Sequence, residues 1–364
     1  CAEAIVEGAR ARGAAGLKVA VVTGDDLLER LDDLLARGVE LKHMETGQRL
    51  AEVRDQIVSA NAYLGAQPIA EALAMGADVV VTGRTTDTGL TLAPLVDRFG
   101  WDWTDWDKMA AGTVAGHILE CGAQSSGGNF TDWRAVPDMA RIGFPIAEVS
   151  ADGTFVVTKH DGTGGLVSRG TVAEQLLYEI GDPTDYITPD VVADFTSIQL
   201  EDEGDDRVRV SGIRGAEDTE FLKVSAAYAD GWKATSTLVY AWPEAAAKAR
   251  AAAQILKDRL DALGLEFEEY RAEIIGLNAL SETESVDAVA EADLDEVQLR
   301  VSVRGQDKAA VEQFGREIAP LILTGPSAVT GFAGGRPRPS EVVAYWPALI
   351  PKSEVQTEVR LLEV

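Results

Sequence analysis

Apolar positions in the first 145 residues fall into two patterns, short unbroken runs and stretches of helical period. Residues 17–22 (LKVAVV) and 77–81 (ADVVV) are rich in β-branched residues and lack polar alternation. Strands buried on both faces of a parallel sheet read this way. Residues 56–60 form a weaker third strand. Between them, residues 1–12, 27–37, 68–76 and 90–99 carry apolar side chains three and four apart and read as helices. Pro68 stands where a first turn tolerates proline, Gly76 where a helix stops, and Asp25 or Asp26 where an N-cap belongs. Strand alternating with helix predicts a mostly parallel, layered α/β domain of Rossmann-like type over residues 1–145. A helix at 1–12 without a preceding strand leads us to expect that the first strand lies upstream of Cys1.

Beyond residue 146 the pattern changes. Residues 153–159 read as a strand and 172–180 as a helix, followed by three strand candidates at 206–212, 219–228 and 232–242. An alanine-rich helix (243–263), a strand (270–277), an acidic and mobile stretch (281–295), a strand (296–304) and a helix (308–323) complete the chain. Strands in runs beside helices predict an α+β second domain over 146–364. Two domains also suit a chain of 364 residues, since single cores rarely grow past roughly 250.

Charge narrows the choice of partners. A net charge of −27 repels a phosphate backbone and an anionic membrane, so neither nucleic acid nor membrane is an expected partner. No apolar run reaches the roughly 18 residues of a membrane span, and no secretory leader is visible at the start. Two cysteines, Cys1 and Cys121, make no disulfide framework and no Cys-x-x-Cys metal knuckle, which fits a reducing cytoplasm.

Reactive residue types concentrate in residues 111–133 (AGTVAGHILECGAQSSGGNFTDW). His117, Glu120 and Cys121 share one face of a helix, and Ser125, Ser126, Gly127, Gly128 and Asn129 follow in a segment that cannot stay helical. A histidine beside a carboxylate is a general acid/base pair, and a glycine loop offers backbone N–H groups to a carbonyl. The bland alternative is a buried His117 bonding a neighbouring carbonyl, with Cys121 as a small core residue. Strand ends carry Asn61 in SANAYLGAQ and Arg84, Thr85 and Asp87 in TGRTTD, where α/β sheets bind ligands. Arg84 offers a fork to a carboxylate, with Asp87 orienting it. Equally, Asp87 or Thr88 caps a helix and Arg84 makes a surface ion pair. A second glycine-dense loop holds His160, Asp161 and Gly164, and a third (324–339) holds Arg336 and Arg338, two arginines that could clamp an anion. A P-loop, a dinucleotide fingerprint, a His-Glu-x-x-His motif and a nucleophile elbow are all missing, so the sequence requires no cofactor and assigns no metal ligand. Trp101, Trp103 and Trp106 are expected to pack a domain or subunit contact.

SANAYLGAQPIAEALAMGADVVVTGRTTDTGLTLAPLV, AGTVAGHILECGAQSSGGNFTDW and TKHDGTGGLVSRGTVAEQLLYEIGDP, in this order, resemble the acyclic terpene utilisation protein A family over almost the whole chain. Members usually begin well upstream of Cys1. The resemblance implies bacterial breakdown of branched acyclic terpenoids through acyl-CoA intermediates. Joined to the residues, it leads us to expect a cytoplasmic, homo-oligomeric enzyme with a small-molecule substrate, a CoA thioester, and hydratase- or lyase-like chemistry. In that scheme His117, Glu120, Cys121, Asn129 and His160 are catalytic. Asn61, Arg84, Thr85, Asp87, Ser125, Ser126, Gly127, Gly128 and Gly164 bind the substrate. Two alternatives stand beside it: a non-catalytic assembly subunit of an acyl-CoA carboxylase, and a hydrolase using an N-terminal Cys1.

Overall fold

A computed structural model describes residues 1–280, 294–331 and 335–364, so the expected mobile stretch at 281–295 lies almost wholly outside the described residues. In chain order the elements are α1 (Ala2–Ala11), β1 (Lys18–Thr23), α2 (Leu31–Ala36), β2 (Ile57–Ala62), α3 (Gln67–Ala74), β3 (Val79–Thr82), α4 (Gly89–Phe99) and α5 (Trp106–Glu120). Then follow β4 (Pro145–Val149), β5 (Phe155–Lys159), α6 (Arg169–Leu177), β6 (Tyr186–Ile187), β7 (Val192–Asp194), β8 (Gln199–Asp202), β9 (Val208–Ser211), β10 (Arg214–Ala216) and β11 (Phe221–Ala241). The chain continues through α7 (Ala245–Ala262), β12 (Glu269–Ile275), β13 (Glu296–Gly305), the helix Lys308–Ile318, β14 (Val329–Thr330), β15 (Ser340–Pro351) and β16 (Glu358–Glu363). The α/β class expected from the hydrophobic pattern holds.

Parallel pairing is confined to fewer strands than the pattern suggested. β1 and β3 run parallel, Val19 beside Val79 and Val22 beside Thr82. On the other edge of β1 lies β16, antiparallel, with Lys18 opposite Glu363 and Thr23 opposite Glu358. β4, β5, β9 and β8 form an antiparallel sheet in that order, and β12, β13 and β11 form another. The two strands expected at 219–228 and 232–242 are one, β11, of 21 residues. Ala229-Asp230-Gly231 has the composition of a turn, but Gly231 takes a positive φ of 79° within the strand and the chain runs on.

The described chain divides into two compact units, and the break does not fall at residue 145. One unit comprises Cys1–Arg54, Ser59–Ala226 and Trp346–Val364, the other Asp55–Val58 and Ala227–Tyr345. Residues 145–226 stay with the first unit because they share its core. Phe155, Val157, Val208 and Val210 pack in one cluster with Met109, Val114 and Ile118 of α5. Trp101 joins the same core and donates from Nε1 to the Ala151 carbonyl at 3.0 Å. Trp101 is therefore internal to this unit, and Trp103 and Trp106 pack against the same core.

Helix α5 is buried on every side from Met109 to Ile118. Its small residues make that packing possible. A Cβ on Gly116 would stand 2.7 Å from the Cα of Thr88, and one on Gly112 would stand 2.5 Å from Leu92 Cδ1. Glycine here lets the start of α4 approach the backbone of α5, which brings Thr88 and Asp87 beside His117.

Candidate functional site

A cavity of about 470 Å³ in the first unit collects residues from eight separate segments. Its apolar wall comes from Met44, Ile187, Phe221 and Leu349, and its polar wall from Asp87, His117, Glu120, Glu179, Tyr186 and Lys223. Thr86 also faces it, with a buried Oγ1 that has no hydrogen-bond partner. A buried hydroxyl without a partner marks a place where a ligand atom or water would be held.

The imidazole of His117 is held from both ends. Nε2 lies 3.0 Å from the Gln175 carbonyl and Nδ1 lies 3.1 Å from Glu120 Oε1. A carbonyl only accepts, so Nε2 carries a hydrogen. The contact between Nδ1 and the carboxylate then needs a second proton lying between them. Gln175 returns the bond, donating from Nε2 to the His117 carbonyl at 2.7 Å. Tyr186 and Phe195 close over the ring, with centroids at 5.5 and 5.3 Å. The side chain of His117 is 2% exposed and that of Glu120 19%. Of the pair, the carboxylate is the member a substrate can reach. Burial, with Glu120 and Asp87 close by, pushes the Tyr186 phenol well above its usual range, so it stays a hydrogen-bond donor.

The expected residues separate into those at the cavity and those that hold the fold. His117, Glu120 and Asp87 line it together. Arg84 stands behind them, its guanidinium 4.3 Å from the Tyr63 ring and 3.3 Å from Asp87, so the expected carboxylate clamp is an exposed ion pair beside a cavity residue. Asn61 serves structure, donating to buried Asp25 at 2.9 Å, and Asp25 also accepts the Arg84 backbone N–H at 2.7 Å. Thr85 is buried with its hydroxyl on the Leu64 carbonyl. Cys121 is a free thiol at the end of α5, outside the residues that line the cavity.

The glycine loop after α5 is no oxyanion hole. Ser125 and Ser126 are fully buried and donate to the carbonyls of Ile118, Ala123 and Gly143. The N–H groups of Gly127 and Gly128 donate within the loop, to Gln124 and Ala123. Asn129 takes a left-handed φ of 57° and is exposed. The loop's hydrogen-bonding capacity closes the helix end, because two adjacent glycines here make a tight turn. His160 and Asp161 are exposed, and Gly164 packs on the Asp138 carbonyl, where a Cβ would stand at 2.0 Å. That second loop folds onto the segment before β4 and does not reach His117's cavity. Among the described residues no group of three or more His, Cys, Asp or Glu is placed to hold a metal ion.

Sequence reasoning missed Gln175, Tyr186, Phe195, Lys223 and Leu349. Nothing local marks them, since each is an ordinary residue whose partner lies far along the chain. It also missed a second cavity of about 410 Å³, lined by Trp103, Trp106, Asp190, Asp218 and Lys352 among others. Asp190 accepts from the Ala66 N–H through both oxygens, at 2.9 and 3.0 Å. Burial pushes its carboxyl up from 3.8 to about 6, against the Ala66 hydrogen bond and Lys352, which pull it down. In the window between these values the folded chain holds a proton that the unfolded chain lacks. This contribution to stability is therefore full below about 4 and lost as pH rises through about 6. Asp190→Asn keeps an oxygen for Ala66 and removes the buried charge. It should exceed the wild type in stability at neutral pH by about 2–3 kcal/mol, and the gap should close in acid. Urea unfolding of both proteins across that range measures the difference; a gap independent of pH would show that Asp190 is not the group responsible.

The model of the acyclic terpene utilisation family protein AtuA matches residues 1–361. Neither a curated protein nor a solved structure matches the chain. The match runs through both compact units and every segment of the His117 cavity, and on it the chain belongs to the AtuA family of acyclic terpene utilisation.

Proposed function

We propose that the chain is an enzyme of acyclic terpenoid catabolism that acts on a branched acyl thioester by acid/base chemistry, adding or removing water. The observation that carries this reading is a carboxylate on a cavity wall, Glu120, hydrogen-bonded to a histidine whose other nitrogen is anchored on a backbone carbonyl. Met44, Ile187, Phe221 and Leu349 supply apolar surface for a methyl-branched chain. Lys223 and Tyr186 supply donors for the thioester carbonyl at the polar end.

In the hydration direction Glu120 takes a proton from water as the water oxygen bonds to the β-carbon. The electron pair of the double bond moves toward the thioester carbonyl. Glu120 then returns the proton to the α-carbon, so one water is added and no proton is left over. His117 holds Glu120 in place and shares its proton, the reverse of the division of labour expected from the sequence, because the imidazole is sealed and the carboxylate is not. The test is incubation with a panel of methyl-branched, α,β-unsaturated CoA thioesters, followed by mass spectrometry. A gain of one water in at least one thioester is expected. Unchanged masses across the panel, in both directions, would overturn the reading and favour a non-catalytic subunit.

A further inference from the structure

The second unit carries a basic cavity in a strongly acidic chain. Of the charged residues, 33 are Lys or Arg and 60 are Asp or Glu. Yet a cavity of about 1130 Å³ beside β11 is lined by Lys308, Arg316, Arg336 and Arg338, with Glu312 as its only carboxylate. Glu312 accepts from Arg316 at 2.9 Å, and the Lys308 ammonium lies 4.0 Å over the Trp232 ring. Neither Arg336 nor Arg338 has a carboxylate partner among the described residues, and both are exposed. Two guanidinium forks, two residues apart on one loop, thus line the same cavity without a carboxylate to neutralise them.

Two further observations concern the shape and lining of the cavity. The loop bearing the arginines is seated on the helix Lys308–Ile318 at a glycine. A Cβ on Gly315 would stand 2.5 Å from the Pro337 carbonyl oxygen, so any other residue would lift the loop and its arginines away. Ser236 lines the same cavity, is 6% exposed, and its Oγ has no hydrogen-bond partner. Its neighbour Thr235 is satisfied, bonded to Ser302 at 2.9 Å. Leaving a buried hydroxyl unpaired is unfavourable, so Ser236 points to an atom that completes it.

We infer that this cavity is an anion site for a phosphate-bearing ligand, specifically a diphosphate group, held by Arg336, Arg338 and Arg316 with Ser236 as a neutral donor. Guanidinium forks match phosphate oxygens in pairs, and three of them exceed what a single carboxylate needs. The cavity also has room beyond two phosphates, which suits a diphosphate attached to an organic group.

Isothermal titration of the full chain with inorganic pyrophosphate, and separately with adenosine diphosphate, tests the site at low and physiological salt. Saturable binding of pyrophosphate is expected, with no response to sodium chloride at equal ionic strength. The Arg336→Ser/Arg338→Ser double variant should weaken it at least tenfold. Both side chains are exposed on a loop, so this variant should fold, which circular dichroism checks. Ser236→Ala should weaken binding severalfold. Tighter binding of the nucleotide would mark an organic diphosphate as the ligand, and equal binding would mark the diphosphate group alone. Absence of saturable pyrophosphate binding, or binding that survives the double arginine variant, would overturn the inference.

Discussion

Glu120→Gln should lower turnover of the branched acyl thioester by about 10²- to 10⁴-fold, the range that general acid/base groups contribute. Glutamine keeps the shape and can still meet Nδ1 of His117, but it neither takes nor returns a proton. Because the Glu120 side chain is only partly buried and its hydrogen bond among the described residues is to His117, stability should change by less than about 1 kcal/mol. Steady-state assays beside urea unfolding separate the two effects. His117→Gln provides the contrast. It removes a buried ring that bonds the Gln175 carbonyl and packs on Tyr186 and Phe195, so it should reduce stability as well as turnover. It should also shift the pH dependence of kcat, which loss of packing alone would not do. A Glu120→Gln enzyme at full activity would remove the carboxylate from the mechanism, whatever His117 does.

Gly24→Ala is expected to have the largest effect on stability. Gly24 directly follows β1 with φ at 113°, a conformation that side-chain-bearing residues rarely adopt. A Cβ there would stand 2.1 Å from the Gln356 carbonyl oxygen and 2.9 Å from the Cα of Thr357. Those are backbone atoms just before β16, which pairs with β1 along its whole length. Strain and forced displacement each amount to roughly 1–3 kcal/mol, so a loss of about 3–5 kcal/mol is expected. The neighbouring Asp25, which ties Asn61 to the Arg84 backbone, would move with it. Unfolding of the variant in urea measures this; a loss below about 1 kcal/mol would mean that the chain end gives way easily.

Much of the fold could be read from residue patterns, and the reason differs between elements. β1 and β3 were plain because a run of β-branched residues without polar alternation has few other uses. α7 was plain from its alanine content. β15 and β16 escaped, since each mixes charged and apolar residues and their place depends on partners about 100 to 340 positions away. The domain boundary was misplaced for a related reason. A change in element pattern at residue 146 does not reveal that β5 and β9 share a core with α5.

For the site, the sequence by itself determined that His117, Glu120 and Cys121 lie on one helical turn and that Asp87 follows a strand end, because spacing along a helix and the order of strand and loop are local properties. It also determined which residues carry charge, and so that Arg336 and Arg338 stand out in an acidic chain. Only the tertiary structure decided which of these share a cavity. Gly116 brings Thr88 and Asp87 against α5, and Gln175 and Tyr186 lock the imidazole and leave the carboxylate in reach. The serine–glycine loop turned inward for the same kind of reason. Its N–H groups had to be satisfied at the helix end, and the carbonyls that satisfied them were already in the protein.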